Sequence, residues 1–100
     1  MVERIYTSPI RCTWNEVKRL RNLRVHDLDF QDAHKVFAGP TLTSDDERFI
    51  YYEQRFVTLG LLDGVPVAIA HTETEEVIHV ISFRKATRHE TALLFAENLH

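Results

Sequence analysis

Asp63-Gly64 is the feature that most narrows the folds open to this chain. The dipeptide lies between two β-prone apolar runs, residues 54–62 and 65–72. Aspartate and glycine tolerate the positive φ angles of a two-residue hairpin, so the two runs are expected to pair antiparallel. An acidic turn at 73–76 then leads into Val-Ile-His-Val-Ile-Ser-Phe at 77–83. Strands joined in sequence by tight turns predict an antiparallel meander.

Helical patterns flank the meander. Residues 10–14 read as a short strand, and Asn15 is suited to N-cap a helix running to about Val25. Val17, Leu20, Leu23 and the stem of Arg24 share the face expected to turn inward, with Trp14 at its entrance. Lys18, Asn22 and His26 stack along another face beside Arg19. Asp29 can cap a second short helix whose Phe30, Ala33, Val36 and Phe37 face the core, and Gly39-Pro40 ends it. Residues 41–48 are polar and acidic and read as a loop. Thr87-Arg-His-Glu90 has the form of a capping box, opening a helix that carries Ala92, Leu93, Leu94 and Phe95. The expected order β-α-α-β-β-β-α implies an α+β fold with helices packed on an antiparallel sheet. Residues 1–10 read as an N-terminal extension and 11–100 as one domain.

Composition narrows the function. At 44% hydrophobic and 27% charged, 100 residues make one small globular domain rather than a disordered chain. Apolar runs such as 65–70 fall far short of the ~20 residues that cross a bilayer, and the first residues lack the order of a secretory signal. A cytoplasmic location is expected. Cys12 is the only cysteine, which excludes an intrachain disulfide and argues against a cysteine-based zinc site. The net charge of -3 argues against nucleic-acid binding by bulk attraction. Its distribution says more. Lys18, Arg19, Arg21 and Arg24 form one basic cluster and Arg84, Lys85 and Arg88 another, while acids collect at Asp45-Asp46-Glu47 and at Glu73, Glu75 and Glu76. Such clusters either line a local cationic groove or are solvated helix faces.

The six histidines, His26, His34, His71, His79, His89 and His100, show no H-E-x-x-H or H-x-H spacing, so no metal site is expected. Ser8, Ser44, Ser82 and Cys12 have no nucleophile-elbow motif around them, and no Gly-rich phosphate loop is present. Polar groups at the strand ends remain. Antiparallel pairing gathers Arg55, His71 and Glu73 at one end and sends Arg84 and Lys85 to the other, unless twist brings them round. The plain structural alternative is that Glu73 caps a turn and the arginines pair with surface acids.

Trp14-Asn-Glu-Val-Lys18, Asn22, His26, Phe30, Ala33 and Val36-Phe37 resemble the W-D-x-x-K, N-x-x-K-H-G and S-F-x-x-A opening of the BrnT toxin family. Glu53-Gln-Arg-Phe-Val-Thr-Leu-Gly60, His71-Thr-Glu73 and Ile81-Ser-Phe-Arg-Lys-Ala-Thr-Arg-His-Glu90 are similar to its E-R-W-x-x-I-G, H-T-E-R and I-I-S-A-R-K-A-T-x-x-E blocks. The resemblance implies a RelE-like fold and the toxin half of a type II toxin–antitoxin pair, a ribonuclease that needs no metal or other cofactor. It also implies a BrnA-like ribbon-helix-helix antitoxin, through which alone operator DNA is contacted.

Metal-free RNA cleavage needs cations for the charged phosphorane and groups that move protons. On this reading Arg55, Arg84 and Lys85 supply the electrostatics and His71 or Glu73 the proton transfer, while Lys18, Asn22, His26, His79 and Arg88 bind RNA. Family basic positions are replaced at Thr74, His79 and Val25, and a family glycine is Asp27. These losses imply a weak ribonuclease or one using His79 in place of an arginine. A rival reading is a degenerate toxin that binds antitoxin for operon repression without cutting RNA, and a further one is an α+β domain of an unrelated assembly.

Overall fold

The computed structural model describes residues 2–4, 6, 10–46, 53–74 and 76–98. In chain order these form β1 (Val2–Arg4), β2 (Arg11–Trp14), α1 (Glu16–His26), a 3-10 turn (Phe30–Asp32) leading into α2 (Ala33–Phe37), β3 (Thr41–Asp45), β4 (Phe56–Leu62), β5 (Val65–Glu73), β6 (Val77–Lys85) and α3 (Arg88–Asn98). Counting the short β1, the described residues form a sheet of six strands in the order β1-β3-β4-β5-β6-β2. The α+β class and the β4-β5-β6 meander are as expected. At the β4–β5 turn Asp63 (φ 49°) and Gly64 (φ 83°) both adopt left-handed backbone, the geometry that matches a hairpin to strand twist.

The sheet separates two apolar layers. On one face Phe30, Ala33, Val36 and Phe37 pack against Val67, Ile69, Ile78, Val80 and Phe83. On the other, Leu94 of α3 closes over Leu42, Leu59 and Ala68. Each large side chain buried here removes enough apolar surface to contribute about 1.5–3 kcal/mol. At Gly60 α2 approaches the sheet closely, since a Cβ there would lie 2.6 Å from Val36 Cγ1. A hydroxyl chain crosses the α2 face of the strands. Tyr6 Oη meets Thr43 Oγ1 at 3.2 Å, Thr43 meets Thr58 Oγ1 at 2.8 Å, and Thr58 meets His71 Nε2 at 2.7 Å.

Several expectations need correction. The sheet is mixed rather than antiparallel, because β2 runs parallel to β6, with Arg11 opposite Val77 and Trp14 opposite Val80. Residues 41–45 are a strand between β1 and β4 rather than a loop, with Thr41, Leu42 and Thr43 buried. Glu47 and Arg48 lie outside the described residues, as do Ser8, Glu75 and His100. The element order therefore has a strand between the helices and the meander, and Val2–Arg4 adds another at the sheet edge. The helix α1 also turns a different face inward from the one its apolar spacing suggested, because Val17 and Leu20 remain 67% and 54% exposed while Asn22 is buried.

A candidate nucleic-acid interface between α1 and β6

Asn15 starts α1 as expected, accepting from the Lys18 amide at 3.1 Å. Asp27 ends it in left-handed backbone at φ 57°, and its N–H donates to Leu23 O at 2.9 Å. That conformation is the physical reason for a glycine in the related pattern, and aspartate is among the few other residues that adopt it readily.

The orientation of α1 follows from a gap in the sheet. β2 ends opposite Val80, whereas β6 continues to Lys85, so among the described residues no strand flanks the last residues of β6 on that side. Asn22 fills the gap. Its Oδ1 accepts from Phe83 N at 3.0 Å, and its Nδ2 donates to Phe83 O at 2.8 Å and to Leu28 O at 2.9 Å. One primary amide thus stands in for a neighbouring strand. Asn22, expected from the sequence to bind RNA, is only 7% exposed, and its amide is engaged by the backbone of Leu28 and Phe83. Arg19 fixes the same helix face by reaching both carboxylate oxygens of Asp29, at 3.0 and 3.2 Å, and bonding Glu16.

Alongside this seam runs a groove of about 300 Å³ lined by Lys18, Arg21, Asn22, Val25, His26, Ile81 and Ser82. Among the described residues the lining includes cations and an imidazole but no acid, although the whole chain carries -3. Ile81 is presented by a β-bulge: Ala70 pairs with Ser82 and His71 with Val80, leaving Ile81 as the extra residue. Lys18 and His26 both line this groove, about two helical turns apart. Arg21, Ile81 and Ser82 were missed as site residues. The i, i+3 step from Lys18 to Arg21 was a usable signal, whereas nothing local marks a bulge.

Arg84 follows on from Ser82 on the same face of β6, about 7 Å along the strand. Its guanidinium grips Glu90 bidentately, at 2.7 and 3.0 Å. Glu90 also completes the expected capping box: its Oε1 accepts from Thr87 N at 2.9 Å and its own N–H donates to Thr87 Oγ1 at 3.1 Å. Arg84 first, and then the Thr87 amide, hold the Glu90 carboxyl down at about 2, against the cost of its partial burial. Lys85 and Arg88 are exposed at the same end of the strand.

The other expected site residues lie elsewhere. Lys85 pairs with Val67 and Ile78 with Glu73, so the basic end of β6 and Glu73 are separated by about 20 Å of β5. Arg55 precedes β4 and Glu73 closes β5, both half-buried at that far end. His71 is fully buried, edge-on to Phe37 at 5.1 Å and stacked near Phe56 at 5.8 Å. In this fold it is a core histidine bonded to Thr58, with no surface to offer a substrate. His79 is exposed and bonds Thr13 through Nδ1 at 2.9 Å. Arg55, His71, Glu73, Arg84 and Lys85 therefore do not form one constellation. Among the described residues no group of at least three His, Cys, Asp or Glu side chains is placed to hold a metal ion.

Comparison with known proteins gives the fold its context. The profile of the family described as the ribonuclease toxin, BrnT, of type II toxin–antitoxin systems matches residues 14–90. This chain belongs to the BrnT toxin family. The match takes in α1, the meander and the Arg84–Glu90 clasp, and stops before most of α3. No curated protein matches the chain. Membership makes it a toxin-family protein with ribonuclease chemistry and a protein antitoxin among the family's properties.

Proposed function

We propose that this chain is a toxin of the RelE-like type that cleaves RNA in the cytoplasm without a metal, and that a BrnA-type ribbon-helix-helix antitoxin silences it. Operator DNA is reached only through that antitoxin. The observation that carries the proposal is the acid-free groove between α1 and β6. Lys18 and Arg21 bind the scissile phosphate and the charge that grows on its oxygens. His26, at the last turn of α1, takes the 2′-hydroxyl proton. The 2′-oxygen then bonds to phosphorus, the bond to the 5′-oxygen breaks, and that oxygen takes a proton from solvent water while His26 returns its own to solvent, giving a 2′,3′-cyclic phosphate and a 5′-hydroxyl. Arg84, Lys85 and Arg88 extend the phosphate track, Arg84 exchanging one carboxylate oxygen of Glu90 for a phosphate oxygen. His79 contacts the backbone further along the open sheet face. Arg55, His71 and Glu73 hold the far end of the sheet together in this reading.

The test is incubation of antitoxin-free protein with unstructured RNA in the presence of a chelator. Cleavage to cyclic-phosphate ends is expected, with Lys18→Ala/Arg21→Ala slower by at least a hundredfold. Cleavage that the chelator abolishes, or that the double variant leaves intact, refutes the proposal.

A second reading keeps the fold and drops the catalysis. It is favoured by the replaced basic positions at Val25, Thr74 and His79, and by the engagement of Arg84 with Glu90. The chain then captures antitoxin for operon repression, and RNA stays uncut at high protein concentration.

A further inference from the structure

The outward face of α1 is built against the usual rule. At 100° per residue, Leu20, Arg24, Val17, Arg21, Val25 and Lys18 follow one another around the exposed arc, aliphatic and basic side chains in alternation. Val17, Leu20 and Val25 are 67%, 54% and 64% exposed, whereas the inward arc holds Arg19 and Asn22. No acid lies between residues 17 and 25, and Glu16 is already engaged by Arg19 and Trp14. Nothing in the packing of α1 on β6 requires aliphatic side chains on the solvent side.

We infer that this face is the docking surface for an acidic amphipathic helix of a protein partner, carrying aliphatic anchors among aspartates and glutamates. The charge is complementary all along the arc, and the anchors supply the apolar burial that holds such a helix in a groove. RNA satisfies the cations but gives the aliphatic side chains little to pack against. A lipid surface requires aliphatic and basic groups on separate arcs, and here they alternate. Lys18, Arg21 and Val25 belong both to this face and to the groove wall, so the docked helix blocks RNA by taking the same side chains. The blocking part rests on the groove being the RNA site; the docking part does not.

A designed peptide of about 16 residues, roughly four helical turns, with leucines on one stripe and glutamates beside them, serves as the probe. Fluorescence anisotropy against the full chain is expected to give micromolar binding that competes with an RNA oligonucleotide. Val17→Ser/Leu20→Ser, which alters exposed side chains outside the groove, weakens peptide binding at least tenfold, about 1.4 kcal/mol. RNA cleavage by that variant is unchanged. Arg24→Glu weakens the peptide as well, and a peptide with lysines for glutamates does not bind. Absence of peptide binding, undiminished binding by both variants, dimerisation of the free chain through this face, or preference for anionic phosphatidylglycerol vesicles over the peptide overturns the inference. If the peptide binds in the expected way while RNA is neither bound nor cut, the nucleolytic reading falls and the docking face stands.

Discussion

Replacing Glu90 by glutamine removes a charge while keeping the side chain's shape, and so isolates the clasp between β6 and α3. The carboxylate takes both prongs of Arg84 and the Thr87 amide. A carboxyl lowered from its ordinary 4.5 to about 2 by these contacts sets a ceiling of about 3.4 kcal/mol in favour of the folded, ionised form. Arg84 and Glu90 keep 29% and 20% side-chain exposure, so solvent screening brings the expected contribution to about 1–2 kcal/mol. For a domain of this size that lowers Tm by roughly 4–16 °C. The sign with pH follows from the depressed value: the contribution is complete above the carboxyl's ordinary 4.5 and is lost as pH falls toward about 2. Urea unfolding of the parent and Glu90→Gln at pH 7 and near pH 2.5 reads it directly. The gap between the curves is expected to be wide at the first pH and to shrink at the second. Equal stabilities at pH 7, or a gap that does not change with pH, refutes the reasoning.

Other substitutions address the frame that shapes the groove. Gly60→Ala places a methyl against Val36 Cγ1 and is expected to cost about 1–3 kcal/mol by forcing α2 off the sheet. Denaturant midpoints measure it. Asn22→Ala leaves Phe83 N–H and C=O without their side-chain partner and is expected to cost roughly 2–4 kcal/mol. Faster amide exchange at Phe83 separates this structural loss from a loss of RNA contact. Asp27→Gly removes a side chain from left-handed backbone and is expected to stabilise the protein by about 0.5–1 kcal/mol, seen as a higher Tm with no other change.

The parts of the fold legible in the sequence were those fixed by local chemistry. Asp63-Gly64 turned the chain, Asn15 and Asp29 capped their helices, and Thr87 and Glu90 formed their reciprocal pair. What escaped depended on distant partners. β3 was hidden because Thr41 and Thr43 are buried polar residues, and it is Tyr6, Thr58 and the flanking strands that make their burial tolerable. The parallel pairing of β2 with β6 joins segments more than sixty residues apart and has no local mark. The face of α1 was misread for a related reason. Counting aliphatic side chains favoured Val17 and Leu20, but the open edge of β6 needs a donor and an acceptor, which Asn22 supplies and no hydrocarbon can. His71 looked reactive because histidines at strand ends often are, yet Phe37, Phe56 and Thr58 enclose it. Lys18 and His26 were read from the sequence as lying along one face of α1, and the groove they line with Arg21 became visible only once β6 was in place.

Amide shift mapping with a non-cleavable, 2′-deoxy-substituted oligonucleotide tests the central claim most directly. Perturbations are expected along α1 from Lys18 to His26 and along β6 from Ile81 to Lys85. Binding there should weaken by about 0.7 log unit per phosphate held for each tenfold rise in salt. Perturbations gathered instead around Arg55, Thr72 and Glu73, at the far end of the sheet, contradict the account.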